Sequence, residues 1–217
     1  MKIIVFGASR GTGLHAVQLA LLKGHEITAI ARNVSSIERY AETMPAPSDM
    51  LRIVKADVLS PSGFEKEMEG KDVVISSIGV TNTKPTTLYS EGIRNIINAM
   101  VKYQVKRLIC VSALGVEVTP GMPLLYKLFT RFILQPLLKN NFTDVLKMED
   151  AVKKSNLNWT IVRPPRLTNK NMTGKYRVAT NEYLRNPVII SRSDLAHFII
   201  NNIDNHEFFN SRVEVAY

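Results

Sequence analysis

Short apolar runs along the chain alternate with longer segments in which apolar residues recur every three or four positions. The short runs are rich in β-branched residues and predict strands, whereas the longer segments predict amphipathic helices. The predicted strands are residues 2–6, 25–31, 51–56, 72–78, 106–112, 158–163 and 212–216. The predicted helices are residues 11–23, 35–42, 60–68, 86–103, 143–155 and a segment that begins after 191–194. This repeated alternation indicates an α/β fold, with one doubly wound, mainly parallel sheet flanked by helices in a single domain over residues 1–217.

Residues 113–142 show neither pattern and are predicted to be irregular, with an apolar insertion at about 115–142 near the substrate side of the sheet. Its apolar side chains could cover a substrate pocket, form a contact between subunits or pack as a core helix. The side chains concerned are Leu124, Leu125, Leu128, Phe129, Phe132, Ile133 and Leu134. Two further stretches, residues 44–48 and 166–187, are predicted to be rich in loops.

Three glycines, Gly7, Gly11 and Gly13, occur where the first predicted strand ends and the first predicted helix begins. Free N–H groups and the positive end of a helix dipole meet at such a position, and together they attract phosphate. Glycines there allow a tight turn, close approach of a pyrophosphate and close packing of the helix on the strand. An ordinary turn that contains glycine is the alternative. The position of the loop favours a Rossmann-like dinucleotide site, whose residues here would be Gly7, Ser9, Arg10, Gly11, Thr12 and Gly13.

Arg32 stands at the end of the second predicted strand. An NAD-preferring site usually has Asp or Glu at this place to bond the ribose 2′-hydroxyl, whereas an arginine suits a 2′-phosphate. Arg10, inside the glycine loop, is a second cation near the same corner, and guanidinium groups bind phosphate through two parallel hydrogen bonds. Each arginine alone could be an ordinary surface residue. Together they predict NADPH (NADP⁺) rather than NADH as the cofactor.

The ends of the other strands also matter, because in such sheets a ligand lies across the carboxyl ends of the strands. Asp57 could bond the adenine edge or simply cap the following turn. Small residues after the fourth strand would let the central phosphates and ribose cross the sheet. Ser112, after the fifth strand, would face the nicotinamide region as the candidate catalytic residue, or else it is a turn former. The remaining candidate cofactor residues are Val58, Ser76, Ile78, Gly79, Pro164, Pro165 and Arg166.

Composition and charge narrow the class of protein. The net charge of +9 could indicate a partner rich in phosphate, but the chain has no run of five like charges and no nucleic-acid module motif, so we interpret it as surface charge. The single cysteine, Cys110, rules out an internal disulfide and a cysteine-based zinc site. No apolar run reaches the roughly 18 residues that span a bilayer, and the first strand leaves no room for a signal peptide. We therefore expect a cytoplasmic monomer or homodimer that takes a planar small molecule, with neither a nucleic acid nor a membrane as partner.

Several motifs, in order along nearly the whole chain, resemble the atypical branch of the short-chain dehydrogenase/reductase superfamily, and most closely its biliverdin reductase B / flavin reductase family. The motifs are GASRGTGL (7–14), AIAR (29–32), ADVL (56–59), SEGIRNIINAM (90–100), VSAL (111–114), RPP (163–165), TGKYRV (173–178) and VIISRSDLAHF (188–198). The resemblance implies NADPH-dependent reduction of a flavin or of a linear tetrapyrrole such as biliverdin. It places the 2′-phosphate on Arg32, the adenine on Asp57 and the hydride-transfer centre near Ser112.

The chain departs from that family at three places. Arg10 replaces the middle glycine of the usual Gly-x-x-Gly-x-x-Gly loop, which adds a cation to the phosphate site. Arg166 stands where we expect a histidine after the double proline, a difference that bears on the substrate rather than on the cofactor. The segment at 115–142 is longer and more apolar than the family leads us to expect.

The chain also has no Tyr-x-x-x-Lys pair, the dyad with which alcohol-oxidising members of the superfamily move a proton. Reduction of a conjugated acceptor needs this dyad less, because charge spreads over the acceptor and solvent supplies the proton. The sequence therefore predicts an NADPH-dependent reductase of a flat conjugated acceptor. The alternative is a non-catalytic NADP(H)-sensing regulator that resembles the NmrA-like proteins.

Overall fold

A computed structural model of the chain describes residues 1–43 and 48–217. The strands in these ranges are β1 (Lys2–Phe6), β2 (Glu26–Ala31), β3 (Leu51–Lys55), β4 (Val73–Ser76), β5 (Arg107–Val111), β6 (Asn158–Arg163), β7 (Arg166–Thr168), β8 (Arg177–Thr180), β9 (Ile189–Ser191) and β10 (Ser211–Ala216). The α-helices are α1 (Gly11–Leu22), α2 (Ser35–Thr43), α3 (Leu88–Lys102), α4 (Leu124–Phe129), α5 (Gln135–Leu137), α6 (Lys139–Lys153) and α7 (Arg192–Asn201). A π turn, Thr130–Leu134, joins α4 to α5. The loop predicted over 44–48 lies outside the described residues except for Ser48, which begins a short 3-10 turn.

Within the described ranges, eight strands form one sheet in the order β3-β2-β1-β4-β5-β6-β10-β8. The first seven run parallel, and β8 pairs antiparallel with β10 at the edge. The chain moves outward from β1 through β2 to β3 and then returns to the other side of β1 as β4. The strand order therefore reverses between β1 and β4, and sheets of this type bind ligands at such a switch point.

Helices cover both faces of the sheet, which explains why residues 3–6 of β1 are all apolar. Ile3 and Val5 pack with residues of α1 and α7 on one face, whereas Ile4 and Phe6 pack with residues of α3 and α6 on the other. All four side chains are buried. The chain forms a Rossmann-like α/β domain of three layers, and the predicted fold class is confirmed.

The segment predicted to be irregular, residues 113–142, is largely helical, so that prediction was wrong. The π turn joins α4 to α5 directly, and α6 begins at Lys139 rather than at residue 143. Pro123 immediately precedes α4, and Pro136 lies in the first turn of α5. Proline is tolerated at the start of a helix because the backbone N–H there needs no partner within the helix. Pro123 and Pro136 are therefore compatible with the helices of this segment.

The short elements differ most from prediction. The helix predicted over 60–68 is two 3-10 turns, Pro61–Gly63 and Glu65–Met68. The region 166–187, predicted to be loops, contains β7 and β8, of which β7 pairs with β9 in a separate two-stranded sheet. None of the helices in the described parts of the chain combines the length and apolar character needed to cross a bilayer.

Candidate functional site

A cavity of about 1080 Å³ lies at the carboxyl ends of the central strands. Its wall is formed by residues that follow β1 to β4, by the end of β5, and by the starts of α1, α2 and α3. The predicted cofactor residues on this wall are Gly7, Ser9, Arg10, Gly11, Thr12, Arg32, Asp57, Val58, Ile78, Gly79 and Ser112. The fold thus brings together candidates that the sequence spreads over half of its length.

The loop between β1 and α1 is packed so tightly that two of its glycines have no room for a side chain. A Cβ on Gly7 would lie 2.4 Å from the carbonyl oxygen of Ser77, and a Cβ on Gly13 would lie 2.2 Å from the carbonyl oxygen of Gly7. Gly7 and Gly11 also have positive φ angles of 75° and 57°, which residues with side chains rarely adopt. These close contacts hold α1 against β1 and the loop after β4, so that the start of α1 opens onto the cavity.

The start of α1 has the features of an anion site. Arg10 precedes the helix in an extended conformation and makes no side-chain capping bond, and the first turn contains no acid. The hydroxyl of Thr12 is buried and, among the described residues, has no hydrogen-bond partner. Backbone N–H groups, the positive end of the helix dipole and this hydroxyl together fit a phosphate or a pyrophosphate.

Arg10, Arg32 and Arg39 line the cavity beside the glycine loop. Arg32 directly follows β2, and Arg39 lies on the second turn of α2. The hydroxyl of Ser36 donates a hydrogen bond to the carbonyl oxygen of Ser9, so the first turn of α2 is held against the glycine loop. The corner therefore carries positive charge, and guanidinium groups bind phosphate oxygens through paired hydrogen bonds.

Asp57 lines the cavity just after β3 and also caps a turn. One oxygen of its carboxylate accepts a hydrogen bond of 3.0 Å from the backbone N–H of Leu59. Its backbone carbonyl accepts one of 2.9 Å from the N–H of Ser60. The capping role is therefore present in the structure, and contact with an adenine edge stays a prediction.

Ser112 lies just after β5 on the cavity wall, and its hydroxyl donates a hydrogen bond of 2.6 Å to Oε1 of Glu149. Glu149 is buried in α6 and accepts from Nε and Nη2 of Arg163 over 2.7 and 2.5 Å. Burial alone would raise the pKa of Glu149, but the hydrogen bonds and charge of Arg163 hold that pKa below its ordinary value. Since a carboxylate only accepts, the proton of Ser112 is directed to Glu149, and the hydroxyl is left to accept hydrogen bonds from a group in the cavity.

Tyr89, near the start of α3, contributes an aromatic ring to the wall. Its position is set by Asp144 of α6, whose carboxylate accepts hydrogen bonds of 2.8 and 3.4 Å from the backbone N–H groups of Tyr89 and Ser90 and so caps α3. The Tyr89 hydroxyl in turn accepts a bond of 3.2 Å from the N–H of Val80. The ring therefore forms a fixed apolar part of the cavity, together with Val145.

Five of the predicted cofactor residues do not line the cavity: Gly13, Ser76, Pro164, Pro165 and Arg166. Gly13 packs beneath the loop, and Ser76 is buried within β4. The carbonyl of Pro164 accepts a hydrogen bond of 2.8 Å from the N–H of Leu114, so the double proline supports the loop after β5. Arg166 is exposed at the start of β7, and its neighbour Leu167 lines the cavity instead.

Sequence reasoning missed several residues of the wall, including Arg39, Tyr89 and Arg192. Arg39 follows Ser35 by four positions, so both lie on one face of a helix, and this spacing could have pointed to it. Arg192 gives no local signal, because it begins α7 near the other end of the chain. The side chain of Arg192 packs against Gly11: a Cβ on Gly11 would lie 3.1 Å from Cδ of Arg192. Nη1 of Arg192 also donates a hydrogen bond of 2.7 Å to Oδ1 of Asn169.

The sequence and the fold of the chain are similar to those of known proteins. Residues 7–206 match the model of a protein family described as NAD(P)H-binding. The Arabidopsis thaliana chloroplast protein At2g34460 is 30% identical over 179 residues, which cover 80% of this chain and 61% of the Arabidopsis protein. The chain therefore spans less than two thirds of the length of that relative.

Solved structures of low sequence identity share the fold. A short-chain dehydrogenase/reductase from Veillonella parvula, in complex with NADP, has a TM-score of 0.77 at 18% identity, covering 100% of this chain and 94% of the other. ChuY of Escherichia coli O157:H7, described as an anaerobilin reductase, has a TM-score of 0.72 at 18% identity, covering 100% and 97%. At these identities the likeness shows the fold alone. The match of the family model over residues 7–206, which begins at the first glycine of the loop, shows that the chain belongs to the NAD(P)H-binding family.

Proposed function

We propose that the protein is an NADPH-dependent oxidoreductase of the cytoplasm that transfers a hydride to a flat conjugated acceptor, either a flavin or a linear tetrapyrrole such as biliverdin. One observation carries the proposal: the glycine loop, the arginine-lined corner and Ser112 all line one cavity. The loop and the corner suit the phosphates of NADPH. Ser112 marks the strand end at which the reactive ring would lie.

The choice of NADPH over NADH rests on the arginines of the corner. Arg32 and Arg39 would bind the 2′-phosphate, and Arg10 would add a third positive charge from the loop. Guanidinium groups bind phosphate oxygens through paired, charge-assisted hydrogen bonds, so each contributes charge and geometry. The start of α1, with the hydroxyl of Thr12, would hold the pyrophosphate.

The choice of a flat conjugated acceptor rests on the apolar part of the wall. Leu88, Tyr89 and Val145 line the same cavity as Ser112, and pockets of this mixed kind suit planar molecules with a few polar groups. The motif resemblance to the biliverdin reductase B / flavin reductase family supports the same class. So does ChuY, which shares the fold and is described as an anaerobilin reductase.

NADPH, when bound, supplies a hydride from C4 of its nicotinamide; the acceptor gains that hydride and a proton from solvent, and NADP⁺ remains. The chain's own residues would orient the two rings and exclude water between them. Ser112 would accept a hydrogen bond from the carboxamide N–H, because its own proton is engaged by Glu149. The missing Tyr-x-x-x-Lys dyad is compatible with this chemistry, since no alkoxide needs protonation by the protein.

The direct test mixes the purified protein with NADPH and with biliverdin or FMN, and follows the absorbance of the nicotinamide band. We expect oxidation of NADPH that depends on the acceptor and is slower with NADH. A protein that binds NADPH but oxidises none of it with flavins, quinones or tetrapyrroles would contradict the proposal.

A non-catalytic NADP(H) sensor of the NmrA-like kind is the second candidate. The Ser112–Glu149 hydrogen bond favours it, because a serine whose proton is engaged cannot donate to a substrate. A sensor would distinguish NADP⁺ from NADPH in affinity and would show no turnover. Calorimetric titration with both forms, beside the turnover assay, separates the two functions.

A further inference from the structure

One helical surface of the protein exposes apolar side chains that the cavity does not use. We define the α4 face as Leu124, Leu125, Leu128, Phe129, Phe132, Ile133 and Leu137. These side chains are between 44% and 82% exposed, which excludes the core-helix interpretation of this segment. None of them lines the cavity, so they do not cover the candidate site either. A contiguous apolar patch of this kind marks an interaction surface.

The opposite side of this segment is anchored in the domain, so the α4 face is presented without any rearrangement. Thr130 is fully buried, and Leu134 packs so closely that a Cβ on Gly115 would lie 2.6 Å from it. The side-chain amide of Gln135 donates hydrogen bonds of 3.2 Å to the carbonyl oxygens of Gly115 and Val116. The helix thus has one buried side and one apolar, exposed side.

The charged side chains that the segment itself carries have one sign. Residues 118–143 include Lys127, Arg131 and Lys139 and contain no Asp or Glu. Arg131 and Lys139 are exposed, and Lys127 is partly exposed. Apolar side chains flanked by cations are the pattern of a helix that lies in the interface of a bilayer with anionic lipids.

We propose that the α4 face docks on the surface of a bilayer that contains anionic phospholipids. The run from α4 to α5 covers residues 124–137, which is shorter than the roughly 20 residues of a spanning helix, so it would lie along the surface. A second copy of the chain suits the face less well. A two-fold contact sets the same patch against itself, so Lys127 and Arg131 of each copy would meet without an acid from residues 118–143 to pair with them.

This proposal differs from the expectation, drawn from the sequence, that the protein has no membrane partner. That expectation rested on the length of apolar runs, a criterion that identifies only helices long enough to span a bilayer. A surface-lying helix is recognised only once the fold shows which side chains of the segment stay exposed.

The test is sedimentation of the protein with vesicles of phosphatidylcholine alone and of phosphatidylcholine mixed with phosphatidylglycerol, at low and high salt. We expect binding to the mixed vesicles that weakens with salt. The double variant Leu125→Ser, Phe132→Ser should bind at least about tenfold more weakly, because two large apolar side chains no longer enter the interface. The matched double variant Leu22→Ser, Val101→Ser, which changes residues 64% and 61% exposed on α1 and α3, should bind like the unchanged protein.

A second variant pair separates charge from apolar burial. In the double variant Lys127→Gln, Arg131→Gln, vesicles that contain phosphatidylglycerol should bind the protein little better than vesicles of phosphatidylcholine alone. Failure of the unchanged protein to bind mixed vesicles would overturn the proposal, as would equal losses in the two serine double variants. A concentration-dependent dimer that Leu125→Ser, Phe132→Ser converts to a monomer, with no vesicle binding, would assign the face to a second copy instead.

Discussion

The hydroxyl of Ser112 donates a hydrogen bond of 2.6 Å to Glu149, and this bond connects the wall of the cavity to a buried ion pair. Glu149 in turn holds Arg163, which also reaches Glu117 over 3.0 Å. The orientation of a candidate catalytic residue therefore depends on a carboxylate that never touches the cavity. Substitutions at Ser112 and at Glu149 should consequently have different effects.

Ser112→Ala should lower kcat by about fivefold, since it removes one orienting hydrogen bond worth roughly 1 kcal/mol, and should change the dissociation constant of NADPH little. Steady-state kinetics beside calorimetric titration measures both quantities. Ser112→Thr keeps the hydroxyl and should restore most of the rate. A normal kcat in Ser112→Ala would remove this residue from the mechanism.

Glu149→Gln should lower the free energy of unfolding by about 3 kcal/mol, because it leaves the buried guanidinium of Arg163 without its main counter-charge. Urea unfolding near neutral pH measures this loss. Asp150→Asn, one residue further along α6, breaks only the exposed pair with Lys154 and should cost about 0.5 kcal/mol or less. Similar losses in both variants would contradict the role of the buried pair.

The same pair predicts a pH dependence with a definite sign. The pKa of Glu149 is held below its ordinary value in the folded protein, so its ionised form contributes stability above the pKa of an unfolded glutamate. This contribution is lost as the pH falls from that value through the lower folded pKa. The difference in unfolding free energy between the unchanged protein and Glu149→Gln should therefore shrink on acidification. A difference that stays constant into strong acid would show that Glu149 is not ionised in the folded protein.

Gly13→Ala should lower stability by about 1–3 kcal/mol and weaken NADPH binding, because a Cβ there would lie 2.2 Å from the carbonyl oxygen of Gly7. Helix propensity alone predicts the opposite sign, since alanine favours a helix by up to about 1 kcal/mol over glycine. Thermal unfolding and NADPH titration report the two effects. Gly63→Ala is the control: the nearest atom to its Cβ would be 3.4 Å away, and little change is expected.

Arg39→Ala tests a residue that the sequence did not indicate. Because Arg39 lines the arginine corner, its loss should weaken NADPH by about 1–2 kcal/mol and affect NADH much less. Arg94→Ala removes an equal charge from an exposed position on α3, outside the cavity, and serves as the control. Parallel titrations of both variants with both nucleotides measure the contrast, and equal losses in the two variants would mean that only net charge matters.

The sequence was most informative where local pattern determines structure. The unit of β1, the glycine loop and α1 follows from an apolar run, three glycines and an amphipathic segment within about twenty residues. The position of Arg32 and Ser112 on the cavity wall could be predicted because parallel strands end at one edge of the sheet, and the roles of both residues stay predictions. The start of α7 was equally local, because residues 191–194 have a capping-box pattern, and in the structure the hydroxyl of Ser191 accepts the N–H of Asp194 over 2.9 Å.

Features that depend on packing between distant segments could not be predicted. Arg192 reaches Gly11 only because α7 packs against α1, and Glu149 reaches Ser112 only because α6 lies beside β5 and β6. The apolar residues of α4 were recognised, but whether they are buried or exposed depends on the whole domain. We predicted that Pro164 and Pro165 line the cavity because they follow β6. In the structure they do not line it, and the carbonyl of Pro164 accepts a hydrogen bond from the loop after β5.

The measurement that most directly tests the account is calorimetric titration of the unchanged protein and of Arg32→Ala with NADPH and with NADH. We predict that the unchanged protein binds NADPH more tightly than NADH. Arg32→Ala should weaken NADPH by about 1.5–3 kcal/mol, the scale of a charge-assisted hydrogen bond, and leave NADH nearly unchanged. No uptake of either nucleotide, or equal losses for both in Arg32→Ala, would contradict the assignment of the cavity to NADPH.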